Sequence, residues 1–159
     1  DLKKSRHERQ QLSKGMRQQQ KQREDARNWL QHEMGISNPT AHDILKYRLW
    51  IECEKLCPYT GKPISKEALF GSEPQFDMEH IIPHSRCLDD SFANKTLCEL
   101  AENRAAKKNR TPYEAYGHDP QRWHEILQRV SRFQGDAAKA KLRRFQLTEI
   151  PADFANRHL

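Results

Sequence analysis

The first part of the chain is almost entirely polar. Lys, Arg, Gln and Glu dominate residues 1–34, where large apolar side chains are few, among them Leu12, Met16, Trp29 and Leu30. These polar residues are good helix formers, so the pattern predicts one or two long helices with an apolar face too narrow for a core. We interpret this segment as a solvated helical connector, with an arm that follows a nucleic acid as the alternative.

An amphipathic helix is predicted next. The apolar positions Leu45, Leu49, Cys53 and Leu56 fall at i, i+4, i+8 and i+11, which is one face of a helix over residues 41–56.

Two short strands are predicted at the centre of the chain. Residues 76–82 form an apolar run that Pro83 ends. A polar, turn-rich loop follows over residues 84–94, and residues 95–100 have the composition of a second strand.

The remaining chain predicts helices. Residues 101–108 carry an acid in the first turn and lysines in the last, which complements the helix dipole. The Thr-Pro-Tyr-Glu sequence at 111–114 is a helix start with a capping box. Further helices are expected from Pro120 and over residues 137–145. The pattern indicates a strand–loop–strand–helix centre inside a mainly helical shell, an α+β fold.

Composition adds a preference for a polyanionic partner. Of the 159 residues 35% are hydrophobic and 31% are charged, and the net charge is +6. A positive balance favours DNA or RNA, although many basic proteins bind neither. No segment reads as a signal peptide or a membrane span, so we expect a cytoplasmic protein with its four cysteines free.

The central segment carries the candidate chemistry. Glu79 and His80 are adjacent, and the amides of Asn94 and Asn103 follow. A carboxylate and an amide oxygen suit magnesium, and a histidine can take a proton from an attacking water. Neighbouring strand residues point to opposite faces, so either a local twist brings Glu79 and His80 together or Asp77 shares the metal-binding role.

The central segment also resembles a known nuclease motif. The sequence Asp-Met-Glu-His-Ile-Ile-Pro at 77–83, with Ser85 and the stretches 89–91, 94–95 and 102–104, is similar to the HNH motif. The similarity is greatest to the HNH domain of the type II CRISPR RNA-guided effector nucleases, and residues 43–50, 57–62, 109–114 and 154–159 resemble segments around that domain in the compact type II-C branch. The resemblance implies a ββα-metal core, a short two-stranded antiparallel sheet plus a helix, surrounded by helices and helical linker arms.

By this resemblance His80 matches the general base, and Glu79 and Asn103 match the metal-binding residues. Asn94 matches the central asparagine of the catalytic motif, whose expected role is to brace the loop. The family commonly has Asp at the position of Glu79, so Asp77 remains an alternative acidic ligand. Magnesium is the implied cofactor, and manganese is expected to substitute for it.

The resemblance also implies the partners. The expected substrate is the target DNA strand in an RNA–DNA heteroduplex, with guide RNA contacted indirectly. Plausible phosphate contacts are Arg104, Lys107, Lys108 and Arg110.

A larger parent protein is implied too. Residues 1–38 are expected to be a linker arm from a RuvC domain, 39–139 the HNH nuclease domain, and 140–159 a linker returning to RuvC. We expect the isolated domain, from a bacterial or archaeal protein, to be monomeric and to touch no membrane.

Other functions remain open. One is a zinc-stabilised, non-catalytic DNA-binding module that uses Cys53, Cys57, Cys87 and Cys98, although only the first pair has a usual zinc spacing. A stand-alone HNH homing or restriction nuclease is a second alternative, and an interaction module that has lost activity is a third.

Overall fold

The computed structural model describes residues 5–152 and divides the chain into two compact units, residues 1–48 and 49–159. The predicted resemblance at residues 154–159 lies outside the described residues.

The first unit is dominated by one long helix. Helix α1 (Arg6–Met34) begins with a capping box between Ser5 and Glu8 and ends at Gly35, whose φ of 66° gives the left-handed turn that glycine tolerates best. The predicted long polar helix is therefore present. Within it only Ala26 and Leu30 are buried among the described residues, in keeping with its narrow apolar face.

Helix α2 (Ala41–Glu52) contains the boundary between the units. Asp43 and Thr40 cap its start reciprocally, with backbone-to-side-chain hydrogen bonds of 3.0 Å in each direction. The helix ends four residues before the predicted position 56. Glu54 and Lys55 adopt positive φ angles of 55° and 61°, a left-handed conformation that cannot continue an α-helix.

The second unit contains a two-stranded antiparallel sheet. Strand β1 (Phe76–His80) pairs with β2 (Lys95–Glu99), with Phe76 opposite Glu99 and His80 opposite Lys95. The predicted strands are both present.

Short helices surround this sheet. They are α3 (Lys66–Phe70), α4 (His84–Cys87), α5 (Leu100–Glu102), α6 (Pro112–Tyr116), α7 (Pro120–Ser131) and α8 (Ala138–Gln146). A 3₁₀ turn, Phe92–Asn94, precedes β2. Helix α5 continues directly into a π-helical turn, Asn103–Lys107. The mainly helical α+β fold with a small antiparallel sheet is confirmed.

Aromatic rings form the centre of the second unit. The Tyr59 ring lies 5.5 Å from both Tyr116 and Phe145, centroid to centroid, and Phe133 meets Phe145 edge-on at 6.5 Å. Because Phe145 on α8 is fully buried, the packed chain extends past residue 139, where the nuclease domain was predicted to end. The assignment of residue ranges to linkers stays a prediction.

Two lysine–glutamate pairs supplement this modest apolar core. Lys141 pairs with Glu52, and Lys107 pairs with Glu79; both lysine side chains are fully buried. A buried charge needs such a partner, because leaving it alone in a low-dielectric interior is very costly. No helix in the described part of the chain combines the length and apolar character needed to cross a bilayer.

Candidate active site

His80 ends strand β1 and is held by a carboxylate. Its Nε2 lies 2.8 Å from Asp90 Oδ1, and the Lys95 ammonium lies 3.3 Å from the same oxygen. The His80 hydrogen bond, helped by Lys95, lowers the pKa of Asp90, so this carboxylate is ionised at neutral pH. An ionised carboxylate only accepts hydrogen bonds, so Nε2 must carry the proton. In neutral His80 the Nδ1 lone pair is then available, and no hydrogen bond from residues 5–152 occupies it.

Asn94 braces the loop that follows His80. Its Oδ1 accepts a hydrogen bond from the Ile82 N–H at 2.9 Å, and its Nδ2 donates to the carbonyls of Ile82 and Asp89, each at 2.9 Å. The Ile81 N–H also donates to the Asn94 carbonyl, at 2.8 Å. Asn94 is fully buried, so its amide is committed to backbone groups and does not face a substrate.

Glu79 lies under the sheet, on the face opposite His80, as strand alternation requires. It is 7% exposed. Its Oε1 accepts from the Tyr59 hydroxyl at 2.7 Å, and its Oε2 accepts from the Lys107 ammonium at 2.5 Å. Burial and the nearby Glu79 charge raise the pKa of Tyr59, which keeps the phenol protonated as a donor. Both carboxylate oxygens are therefore occupied.

The π-helical turn carries Asn103 and Lys107 together. The Lys108 N–H closes it by donating to the Asn103 carbonyl at 2.7 Å, and Lys108 itself has a positive φ of 48°. Single π turns inside α-helices are frequent at functional sites. The Asn103 Oδ1 is buried and accepts no hydrogen bond within the described chain. Lys107 Nζ also donates to the His80 carbonyl at 3.1 Å, which places this turn against the end of β1.

Asp77 shares the strand face of Glu79, two residues earlier. It is half-buried, and its Oδ1 accepts from the Met78 N–H at 2.7 Å.

The four predicted phosphate contacts fall into different environments. Arg104 and Lys108 are exposed. The Arg110 guanidinium donates through Nε to the Ala106 carbonyl at 3.1 Å, within the same segment. Lys107 is fully buried, so its ammonium lies beneath the surface and faces Glu79 instead of an approaching phosphate.

The cysteines do not assemble into a zinc site. All four are buried and free. The neighbouring Cys98 side chain lowers the pKa of the Cys57 thiol to about 6, and the Cys98 thiol donates to the Glu99 carbonyl at 3.4 Å. Within residues 5–152 no group of three or more His, Cys, Asp and Glu side chains is arranged to hold a metal ion. The zinc-stabilised alternative therefore finds no support in the side-chain arrangement.

Asp90 and Tyr59 have no predicted site role from the sequence, and Lys107 is predicted only as a phosphate contact. Asp90 stands in an acidic pair ten residues after His80, and that pair is the one signal that could have suggested it. Tyr59 lies 20 residues before Glu79, and Lys107 lies 28 residues after it. Neither has a local pattern that points to the carboxylate.

The donor chemistry of this site fits a hard divalent cation. Glu79 offers a carboxylate that already holds a cation, the Lys107 ammonium, and Asn103 offers a buried amide oxygen without a partner. Magnesium uses one or two protein oxygens and completes its shell with water and phosphate. A histidine with a free Nδ1, fixed by Asp90, lies on the adjacent residue of the same strand. This combination suits hydrolysis of a phosphate ester.

Comparisons with known proteins agree with this chemistry. Residues 57–113 match the HNH endonuclease family. The CRISPR-associated endonuclease Cas9 of Campylobacter jejuni is 40% identical over 84 residues, which are 53% of this chain and 8% of that protein.

Solved structures match over more of the chain. Streptococcus thermophilus Cas9 in complex with the GGAA PAM superposes with a TM-score of 0.76 at 25% identity, covering 94% of this chain and 15% of that one. The type II-C Cas9 of Actinomyces naeslundii gives 0.66 at 16% identity over 91% of this chain and 15% of that one, a likeness of fold alone. The chain thus spans a small part of the proteins it matches. Together the motif, the fold and these similarities show that residues 57–113 belong to an HNH endonuclease domain, similar to the one in Cas9 proteins.

Proposed function

We propose that this domain is a magnesium-dependent nuclease that hydrolyses the DNA strand paired with a guide RNA, with His80 as general base. The observation that carries the proposal is the His80–Asp90 contact of 2.8 Å, which leaves the His80 Nδ1 lone pair available. Manganese is expected to replace magnesium.

His80 supplies the proton transfer. Nδ1 takes a proton from a water molecule while the water oxygen attacks the phosphorus. The bond from phosphorus to the leaving sugar oxygen breaks, its electron pair stays on that oxygen, and a solvent water protonates it. Asp90 keeps the Nε2 proton in place and stabilises the imidazolium that forms, as a carboxylate does in other acid–histidine pairs. His80 is about one-fifth exposed, so solvent water can reach it.

Glu79 and Asn103 would hold the metal ion through a carboxylate oxygen and an amide oxygen. When bound, the metal supplies charge stabilisation for the phosphate and the leaving oxygen. Asn94 is a positioning residue, because it fixes the backbone of residue 82 and the loop that carries Asp90.

The substrate proposal rests on charge and on the relatives. Arg104 and Lys108 present exposed positive charges on the same turn as Asn103. They are the best candidates for contacts to the phosphates of the target strand in the heteroduplex. The DNA sequence would be recognised by base pairing with the guide RNA. RuvC and other domains of the parent protein would position the substrate.

Strand-specific cleavage by the parent protein, programmed with a guide, tests the proposal. His80→Ala is expected to slow cleavage of the guide-paired strand by roughly 10²–10⁴-fold, the usual contribution of a general base. His124→Ala, an exposed histidine on α7, serves as the control and should cut normally. Cleavage of the paired strand at the wild-type rate by His80→Ala would remove the general-base assignment.

A further inference from the structure

We infer that the Lys107 ammonium is a built-in cation that occupies the Glu79 carboxylate and must leave before a divalent metal binds there, so that Lys107 sets the metal affinity of the site. This inference rests on the metal-dependent function proposed above.

The contacts of Lys107 are those of a bound cation. Its Nζ lies 2.5 Å from Glu79 Oε2, 3.1 Å from the His80 carbonyl oxygen and 6.0 Å from the centre of the Tyr59 ring. Carboxylate, carbonyl and π-face are all groups that attract positive charge. The side chain is fully buried, so water does not share in this coordination.

A metal ion and this ammonium cannot use the carboxylate together. Magnesium contacts its oxygen ligands at about 2.0–2.1 Å, and the Oε2 atom of Glu79 already has Lys107 Nζ at 2.5 Å. The other oxygen, Oε1, has the Tyr59 hydroxyl at 2.7 Å. Two cations on one buried carboxylate would repel each other strongly in this low-dielectric setting. Metal binding and the Lys107 contact therefore oppose each other, and each weakens the other by the same factor.

The π-helical turn explains why displacement would create a site. It carries the cation on Lys107 and the unpartnered acceptor on Asn103. When Lys107 leaves, the Glu79 carboxylate loses its counter-ion while the Asn103 oxygen still lacks a donor. One oxygen of Glu79 and the amide oxygen of Asn103 would then both lack a bound cation or donor.

The second buried pair provides a matched control. Lys141 and Glu52 are as deeply buried as Lys107 and Glu79, with side-chain exposures of 0% and 5% against 0% and 6%. Lys141 rests 3.8 Å over the Phe92 ring. Its carboxylate partner has no histidine beside it in the sequence.

Manganese titration of the chain tests the inference, by calorimetry or by the electron paramagnetic resonance of free Mn²⁺. Lys107→Met removes the charge and keeps the buried stem, and it should tighten Mn²⁺ binding by at least about tenfold, which corresponds to about 1.4 kcal/mol. Lys107→Arg keeps the charge and should bind like the wild type. Lys141→Met should also leave the Mn²⁺ affinity unchanged.

A second measurement uses the wild-type fold, in case Lys107→Met fails to fold. The side-chain ¹⁵N signals of the two buried ammonium groups can be told apart, because Lys141→Met removes one of them. Saturating Mg²⁺ should shift the remaining Lys107 signal and speed its exchange with water. A Lys107 signal that stays unchanged at saturation would show that metal binds without displacing it, and the inference would be wrong.

Two further variants separate this inference from the proposed function. If Glu79→Gln abolishes Mn²⁺ binding while Lys107→Met binds no tighter than wild type, Lys107 is not a competitor, and the metal-dependent nuclease proposal stands. If neither Glu79→Gln nor Asn103→Ala changes the Mn²⁺ affinity, the metal lies elsewhere, and both proposals fall.

Discussion

Asp90 holds His80 by a single contact of 2.8 Å between Oδ1 and Nε2, and the carboxylate itself is largely exposed on the loop that Asn94 braces. Because its side chain is 66% exposed, Asp90 adds little to the packed core. The role of Asp90 is to keep the proton of His80 on Nε2. The other ring nitrogen, Nδ1, is then the one that can accept a proton from water.

Asp90→Asn should therefore slow the chemical step. An amide can donate or accept, so it no longer enforces the Nε2–H tautomer, and the target-strand cleavage rate should fall by about tenfold to a hundredfold. Single-turnover kinetics of the parent protein measures this rate, and substrate affinity should not fall because the Asp90 carboxylate repels phosphate. Asp136→Asn, an exposed acid beyond α7, is the control. A loss of affinity with an unchanged rate would contradict the positioning role.

Asn94→Ala should destabilise the second unit. It leaves the N–H and carbonyl of Ile82 and the Asp89 carbonyl without their hydrogen bonds, and we expect a loss of roughly 3–5 kcal/mol in the free energy of unfolding. Urea denaturation followed by tryptophan fluorescence measures it. Asn94→Asp should also be destabilising, since a carboxylate cannot donate to the two carbonyls.

Asn109→Ala provides the comparison for this prediction. Asn109 is exposed and accepts one hydrogen bond, from the Ser85 hydroxyl at 2.8 Å, so its removal should change the free energy of unfolding by about 0.5 kcal/mol or less. Equal losses in Asn94→Ala and Asn109→Ala would rule out the bracing role.

The double variant Arg104→Gln, Lys108→Gln should weaken nucleic-acid binding in a salt-dependent way. Removing one charged side chain that binds a phosphate reduces the slope of log K against log salt by about one. Affinity for an RNA–DNA heteroduplex, measured by fluorescence anisotropy at several salt concentrations, gives the slope. Arg132→Gln, Lys139→Gln removes two exposed charges elsewhere and should leave the slope nearly unchanged. The same slope in both double variants would mean that only net charge matters.

Glu114 gives a prediction for pH. Its carboxylate pairs with the Arg86 guanidinium, which lowers the pKa of Glu114 to about 2 from its ordinary 4.5. A depressed folded-state pKa contributes stability that is present above the unfolded pKa of about 4.5 and is lost as pH falls towards 2. Glu114→Gln keeps the capping box but removes this charge, so it should be less stable than wild type at pH 7 and nearly equal to it at pH 2.

Urea unfolding at both pH values measures the effect, which solvent screening keeps small because the Glu114 side chain is 38% exposed. Glu125→Gln, at an exposed site whose carboxylate accepts from the neutral Gln121 amide at 2.9 Å, is the control. A difference between Glu114→Gln and wild type that persists undiminished at pH 2 would assign the stability to the cap instead of the ion pair.

Local sequence signals predicted the elements of the fold well. The Thr111 capping box begins α6 as predicted, and Pro83 lies just past β1, because such signals act over three or four residues. The contacts of the site join residues that are much farther apart in the sequence. The resemblance to the nuclease family predicts Lys107 as a phosphate contact, but its ammonium is buried because it pairs with a carboxylate 28 residues away.

The predicted roles of the site residues are supported by the structure to different extents. The bracing expected of Asn94 agrees with its three side-chain hydrogen bonds. The general-base role of His80 and the metal-binding roles of Glu79 and Asn103 stay predictions. The π turn that joins Asn103 to Lys107 has no sequence signal of its own, because the same residues are good formers of an ordinary α-helix.

That turn lets the chain length vary without moving the lysine far. An α-helix advances about 100° per residue, so a one-residue deletion that restored ordinary winding would place the lysine about 300° around the axis from Asn103. The wider π turn, with four residues at about 80° each, places it at about 320°. Related domains with one residue fewer at this turn should therefore keep the ammonium on the face that meets the carboxylate. Alignments of such domains should be examined for gaps at this turn as closely as for changes at the motif itself.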